Sequence, residues 1–190
     1  MLIARPLCHE RKGLFFSRWL SLSKPPIKRN NTMKLDPVFT VKENKLYKIS
    51  DNTAVDAATL KQIQIKWSTV EISDEAYNEE YLAQLREDLK DMEEAGTFAV
   101  LVPVVDKPLE SPEQVEAFIN TFNHTARRVK DCESVAGFVL PEEIAAKGVD
   151  AGSPALDFMD TLAIKHAQYV YFVKADSASK NGFPGNISTI

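Results

Sequence analysis

Short β-prone segments alternate with amphipathic helical segments through most of this chain, and this alternation is what most restricts its fold. Residues 63–67, 98–105, 135–140 and 169–173 have the composition of strands. Each of the first three segments is followed by apolar residues at helical spacing. Strands that alternate with helices pair in parallel through helical crossovers. The sequence therefore predicts an α/β domain of repeated β/α units.

Residues at the segment boundaries support the same interpretation. A first helix is expected after Ser73 or Asp74 and ends at Gly96, since glycine tolerates the left-handed conformation that ends helices. Ser111 begins a capping-box pattern for a second helix, and Ser153 before a proline opens a third. The uninterrupted apolar run at residues 98–105 is typical of a parallel strand covered on both faces. Two β-prone runs at residues 37–41 and 46–49 predict a β-hairpin ahead of the first unit.

Basic residues are concentrated at the N-terminus. Seven of the 23 Lys and Arg residues but only one of the 27 Asp and Glu residues lie within residues 1–32, so residues 33–190 carry a net charge of −10. Residues 1–32 are interpreted as a disordered extension, as an organellar leader, or as sequence outside a working protein that starts at Met33. We expect the α/β domain to occupy residues 33–190. Its acidity argues against nucleic acid as a partner, because phosphates bind to basic surfaces.

Several classes of site are not predicted. Cys8 and Cys132 are far apart and no CxxC or Cys/His cluster occurs, so we expect neither a metal site nor a disulfide framework. Glycine-rich phosphate loops and the GxSxG elbow do not occur, so no cofactor is expected. The longest uncharged apolar run has eight residues, against about 20 for a membrane helix. We therefore expect a soluble protein without a membrane partner, and a cytoplasmic rather than a secreted one because it lacks a clear secretory signal.

The loops that leave the C-terminal ends of parallel strands share one edge of the sheet. Chemistry in α/β proteins is concentrated at that edge. In this chain, the edge is predicted to collect residues 67–71, 106–107, 142–143 and 174–176.

Two stretches of the sequence resemble a known family. Residues 85–90 and 94–96 lead into the apolar run 98–105, and residues 126–131 lead into residues 135–143, Val-Ala-Gly-Phe-Val-Leu-Pro-Glu-Glu. Loosely, across residues 38–173, this resembles the first half of the cellulase-like (β/α)8 glycoside hydrolases. The resemblance implies a partial TIM-barrel-like fold and a carbohydrate ligand. It matches Glu143 with the family's acid/base glutamate, while Glu142 and Ile144 stand where the family has asparagine and proline.

Retaining hydrolysis of a glycosidic bond needs a second carboxylate about 5–5.5 Å from the first. Glu142 and Asp106 are the candidates for that catalytic role beside Glu143. In the family the nucleophile lies near the seventh barrel strand, whereas four strands are predicted in this chain and a full barrel has eight. We therefore expect an incomplete or non-catalytic glycosidase-like domain. The alternative is a non-enzymatic carbohydrate-binding or assembly module, with a missing C-terminal half or a second copy as partner.

The candidate site residues also have simpler interpretations. Trp67 and Glu71 are candidate substrate-binding residues, and aromatic rings such as that of Trp67 stack on the apolar faces of sugars, but a tryptophan that ends a strand also packs in the core. Asp106 is equally suited to closing a turn. Glu142 and Glu143 are suited to beginning a helix, where acidic side chains favour the dipole.

Overall fold

The computed structural model describes residues 35–74, 76–175 and 183–190 of the 190-residue chain. The predicted N-terminal extension, residues 1–32, lies outside the described residues, as does Asp176 at the predicted edge. The strands in chain order are β1 (Phe39–Lys42), β2 (Lys45–Lys48), β3 (Thr53–Val55), β4 (Lys61–Lys66), β5 (Glu71–Ser73), β6 (Ala76–Tyr77), β7 (Ala99–Val104), β8 (Val135–Val139), β9 (Val170–Val173) and β10 (Ile187–Thr189). The α-helices are α1 (Trp67–Val70), α2 (Glu79–Glu94), α3 (Pro112–Arg128), α4 (Glu142–Ala145) and α5 (Pro154–Ala163). Within the described ranges, no helix combines the length and apolar character needed to cross a membrane.

Five parallel strands form the central sheet, in the order β4-β7-β8-β9-β10. Each strand therefore lies beside its neighbours in the sequence, with the helices α2, α3 and α5 in the connections. The predicted architecture of parallel β/α units is confirmed. The fifth strand, β10, was missed by the sequence analysis because it lies in a polar tail and has three residues. In the part of the chain that is described, β4 and β10 are the two edges of the sheet, so the sheet stays open.

The central sheet is covered by hydrophobic layers on both faces. On one face, the apolar stripes of α2, α3 and α5 pack against strand residues such as Leu101 and Phe138. On the other face, Phe39 of β1 belongs to a cluster with Val100 and Phe172. Because alternate side chains of each strand point into different layers, the strands are apolar throughout.

The predicted N-terminal hairpin is the first part of a three-stranded antiparallel sheet, β1-β2-β3. Its β1–β2 turn has positive φ at Glu43 (51°) and Asn44 (60°), as a type I′ hairpin turn requires. The side-chain amide of Asn44 donates hydrogen bonds to the carbonyls of Pro184 (3.0 Å) and Ile187 (2.7 Å). Its backbone N–H donates to the carbonyl of Gly185 (3.1 Å). The turn therefore holds the segment that carries β10.

The first long helix starts later than predicted. Ser73 or Asp74 was predicted as its cap, but α2 begins at Glu79. The cap is Asn78, whose Oδ1 accepts a hydrogen bond from the N–H of Tyr81 (3.0 Å). Asparagine caps a helix as well as serine or aspartate does. The residues between form the ribbon β5–β6 instead.

Strands β8 and β9 approach each other closely at Gly137. A Cβ atom on Gly137 would lie 1.7 Å from the backbone oxygen of Val170. The pairing of β7 with β8 also shifts register here, so that Ala136 is an extra residue on β8. Glycine is therefore the residue that this approach between strands requires.

Candidate functional site

Three strands of the central sheet and the residues that follow the other two line one cavity of about 300 Å³ on the face opposite the helices. It is lined by Gln62 of β4, Val102 of β7, Val139 of β8, Lys174 and Ala175 after β9, and Ile190 after β10. A flat sheet would separate β4 from β10 by about 19 Å, since adjacent strands lie about 4.8 Å apart. Gln62 of β4 and Ile190, the residue after β10, both line this small cavity, so the sheet is strongly curved. We call this concave space the lumen cavity.

The lining of the lumen cavity is partly aliphatic and partly polar. Val102, Val139 and Ile190 supply apolar surface, and Gln62 and Lys174 supply an amide and an ammonium group. Among the described residues, no acidic side chain belongs to this lining. Residues 174–176 were predicted at the strand-end edge, whereas Gln62 was not predicted as a site residue. The signal for Gln62 is the alternation of β4, in which Gln62 and Gln64 lie on one face while Ile63 and Ile65 lie on the other.

Asp106, a predicted catalytic residue, follows β7 and holds the start of α1. Its Oδ1 accepts a hydrogen bond from the N–H of Ser68 (2.9 Å), and its Oδ2 accepts one from the Ser68 hydroxyl (2.5 Å). Partial burial raises the pKa of Asp106, but the hydrogen bonds from Ser68, helped by Lys66, outweigh it and leave the pKa below its ordinary value. Asp106 is therefore a carboxylate at neutral pH and cannot donate a proton there.

Glu71, a predicted substrate-binding residue, is held in an ion pair. Lys107, which follows β7, donates from Nζ to Glu71 Oε2 (2.8 Å) and to the Glu71 carbonyl (2.9 Å). The Glu71 side chain is 9% exposed, and Lys107 Nζ also lies 4.9 Å from the centre of the Trp67 ring. Lys107 thus fixes the β5–β6 ribbon to the end of β7. The Glu71 carboxylate is already engaged within the protein.

Trp67, the predicted sugar-stacking residue, lies in the core on the helix side of the sheet. It is 3% exposed, and its ring meets Phe118 of α3 edge-on with centroids 5.4 Å apart. The indole N–H is buried and has no hydrogen-bond partner among the described residues. The ring therefore presents no open face on which a sugar could stack, and it supports packing instead.

Glu142 and Glu143, the other predicted catalytic residues, are the first two residues of α4 and are exposed. Ile144 and Ala145 of the same helix are buried and anchor it. Among the described residues, neither carboxylate forms an ion pair or a hydrogen bond. Since β7 and β8 are parallel neighbours, Asp106 and Glu143 leave the sheet at the same edge.

A larger groove of about 790 Å³ lies between the starts of α3 and α5. Its lining includes none of the residues predicted at the C-terminal ends of the strands. Four carboxylates line it, those of Glu110, Glu116, Asp150 and Asp157, with one cation, Lys147. The groove is therefore acidic, in contrast to the lumen cavity. Across the described ranges, no three His, Cys, Asp or Glu side chains are grouped so that they could hold a metal ion.

No family model matches the sequence, and no curated protein matches it. The fold is similar to solved structures of TIM-barrel glycoside hydrolases. Endoglucanase Cel5A from Pseudomonas stutzeri matches with a TM-score of 0.52 at 15% identity, over 68% of this chain and 47% of that chain. Endo-glycoceramidase II from Rhodococcus sp. matches with a TM-score of 0.47 at 16% identity, over 68% of this chain and 44% of that chain.

The similarity to the endoglucanase confirms, at the level of fold, the weak resemblance to cellulase-like glycoside hydrolases. The chain is partial-barrel-like and is preceded by antiparallel strands. It spans less than half the length of both enzymes. An identity this low transfers neither their catalytic residues nor their substrates.

Proposed function

We propose that this domain binds carbohydrate in the lumen cavity and does not hydrolyse it. The observation that carries the proposal is the lining of that cavity, in which residues on or directly after the five strands combine aliphatic and hydrogen-bonding groups. A cavity of about 300 Å³ is at the small end of ligand sites and suits a single sugar ring. Val102 and Val139 offer contact to an apolar ring face, and Gln62 and Lys174 offer polar groups to hydroxyls.

The state of the carboxylates favours binding over hydrolysis. Glycosidases need one protonated carboxylic acid and a second, ionised carboxylate. Asp106, held ionised by Ser68, could serve only as the ionised member, Glu71 is paired with Lys107, and no described acidic side chain lines the lumen cavity. The fold likeness to an endoglucanase supports the choice of carbohydrate as the ligand class.

The test is oligosaccharide binding by the full chain, measured by calorimetry. Ala175→Trp fills the mouth of the lumen cavity and should abolish binding. Ala83→Trp, a matched change on the exposed surface of α2, should leave binding unchanged. Equal binding by both variants, or no binding by the parent protein across a broad oligosaccharide panel, contradicts the proposal.

Hydrolysis is the second candidate function. In this case, Glu143 acts as general acid/base, with Asp106 or Glu142 as the second carboxylate. The adjacency of β7 and β8 favours it, because both strands end at the same edge. A chromogenic glycoside panel tests it, since Glu143→Gln should then lower kcat at least about 100-fold while Glu116→Gln has no effect. Hydrolysis that depends on Glu143 would overturn the non-catalytic proposal.

A further inference from the structure

The lumen cavity continues along strand β4 as an open stripe of polar side chains. Gln62, Gln64 and Lys66 lie on the face of the sheet that bounds the cavity, because alternate residues of a strand share a face. Ile63 and Ile65, which alternate with them, pack on the helix side. All three polar side chains are exposed. The stripe therefore begins at the cavity and runs toward the C-terminal end of β4.

An aliphatic row on β7 accompanies this stripe. The register of the two strands places Val102 beside Gln64 and Val104 beside Lys66. Val102 lines the lumen cavity, and Val104 is half-buried and lies outside both hydrophobic clusters of the described residues. The open face therefore combines hydrogen-bonding groups with aliphatic surface, as the cavity does.

The stripe extends in one direction only. At its other end, Gln62 lies beside Val100, which is completely buried in the cluster that contains Phe39 of β1. The N-terminal antiparallel sheet thus covers the central sheet below the cavity. A ligand longer than one ring has to leave the cavity toward the strand-end edge, past Gln64.

The two glutamines of the stripe differ from the other glutamines of the chain. Within the described ranges, the side-chain amides of Gln62 and Gln64 form no hydrogen bond. The other three glutamines each form a side-chain hydrogen bond, and they are Gln84, Gln114 and Gln168. An amide can both donate to and accept from a sugar hydroxyl.

We propose that the domain binds a linear oligosaccharide, with one ring in the lumen cavity and further rings along Gln64 and Val104. Successive residues on one face of a strand lie about 6.6 Å apart, so each step along the stripe is close to the width of one sugar ring. From Gln62 to Lys66 the stripe is about 13 Å long, which gives room for two or three rings. This inference rests on the proposed function, because it names the class of carbohydrate for the same site.

The experiment is an NMR titration of the full chain with glucose, mannose and xylose and with their β-1,4-linked di- and trisaccharides. In the series that binds, the trisaccharide should bind at least about tenfold more tightly than the monosaccharide, because further rings add hydrogen bonds and aliphatic contact. Gln64→Ala should weaken trisaccharide binding about fivefold, as expected for the loss of one neutral hydrogen bond, and should leave monosaccharide binding unchanged. Gln84→Ala, the same change on the exposed surface of α2, is the matched control and should have no effect.

Each other outcome overturns the inference in a distinguishable way. Equal affinity for the mono- and trisaccharide refutes the linear ligand while the proposed function stands. Tighter trisaccharide binding that Gln64→Ala leaves unchanged, in a variant that folds like the parent by circular dichroism, refutes the path along β4. Absence of binding by all nine sugars refutes the proposed function together with the inference.

Discussion

Asn44 connects the N-terminal sheet to the strand that completes the lumen cavity, and its replacement should destabilise the domain strongly. Its amide donates hydrogen bonds to the carbonyls of Pro184, which precedes β10, and Ile187, the first residue of β10. Each such bond contributes about 1 kcal/mol. Asn44 also has a φ of 60°, where alanine costs about 1 kcal/mol more. We therefore expect Asn44→Ala to lower the free energy of unfolding by about 3 kcal/mol.

Two further variants separate these contributions. Asn44→Gly keeps the positive φ without strain and should lose about 2 kcal/mol, the part due to the hydrogen bonds. Asn52 also has a positive φ (54°), but its side chain accepts one exposed hydrogen bond from Lys42 (3.2 Å). Asn52→Ala should therefore lose about 1 kcal/mol.

The assay is urea unfolding of the full chain, followed by circular dichroism. The urea midpoint should decrease least for Asn52→Ala, more for Asn44→Gly and most for Asn44→Ala. The dependence of the unfolding free energy on urea concentration should stay unchanged. Hydrogen exchange should accelerate at the amides of β10 in the two Asn44 variants. Equal stability of Asn44→Ala and Asn52→Ala would refute the idea that the turn anchors β10.

Three other changes test separate parts of the fold. Gly137→Ala should destabilise by at least about 2 kcal/mol in thermal unfolding, because its Cβ meets rigid backbone; an unchanged melting temperature contradicts the close approach of β8 and β9. Hydrogen bonding from Arg86 lowers the pKa of Asp131 below its ordinary value of 3.8. The Arg86–Asp131 interaction therefore stabilises the folded chain fully above the ordinary pKa, and this contribution is lost as the pH falls through the lowered pKa. When the melting temperature is measured from about pH 5 down to about pH 2, that of Asp131→Asn should consequently fall less than that of the parent. Burial raises the pKa of Cys132 to about 11, so in a Cys8→Ser variant iodoacetamide at neutral pH should label the folded chain far more slowly than the urea-unfolded chain.

The elements that the sequence predicted well have local signals. Ser111 caps α3 with a reciprocal capping box, and Ser153 caps α5 ahead of a proline, both as expected. The apolar runs of β7, β8 and β9 lie within a few residues of their predicted bounds. Capping and burial on both faces are properties of short stretches, so one sequence is enough to reveal them.

Pro103 shows how strand geometry limits such reasoning. Proline has no N–H to donate, so strand pairing is expected to end near it. Pairing of β7 with β8 ends at Leu101, but pairing with β4 continues to Val104. The N–H of Ala99 points to the β8 side, and alternation places position 103 on that side as well. The missing N–H of Pro103 therefore interrupts the pairing with β8 and leaves the pairing with β4 intact.

The lumen cavity could not be predicted because its parts are distant in the sequence. Strand β10 is ordered by pairing with β9 and by Asn44, about 140 positions away from the carbonyls it bonds. Trp67 illustrates the converse limit, because the sequence left both sugar stacking and core packing open. Its position at a strand end was correct, but α1 begins at once and directs the ring into the core.

The measurement that tests the central claim most directly is amide chemical-shift mapping of the full chain during titration with an oligosaccharide. The account predicts that the largest shifts fall at Gln62, Val102, Val139, Lys174 and Ile190, which lie on or beside five different strands. Absence of shifts, or shifts confined to the acidic groove between α3 and α5, would contradict carbohydrate binding in the lumen cavity.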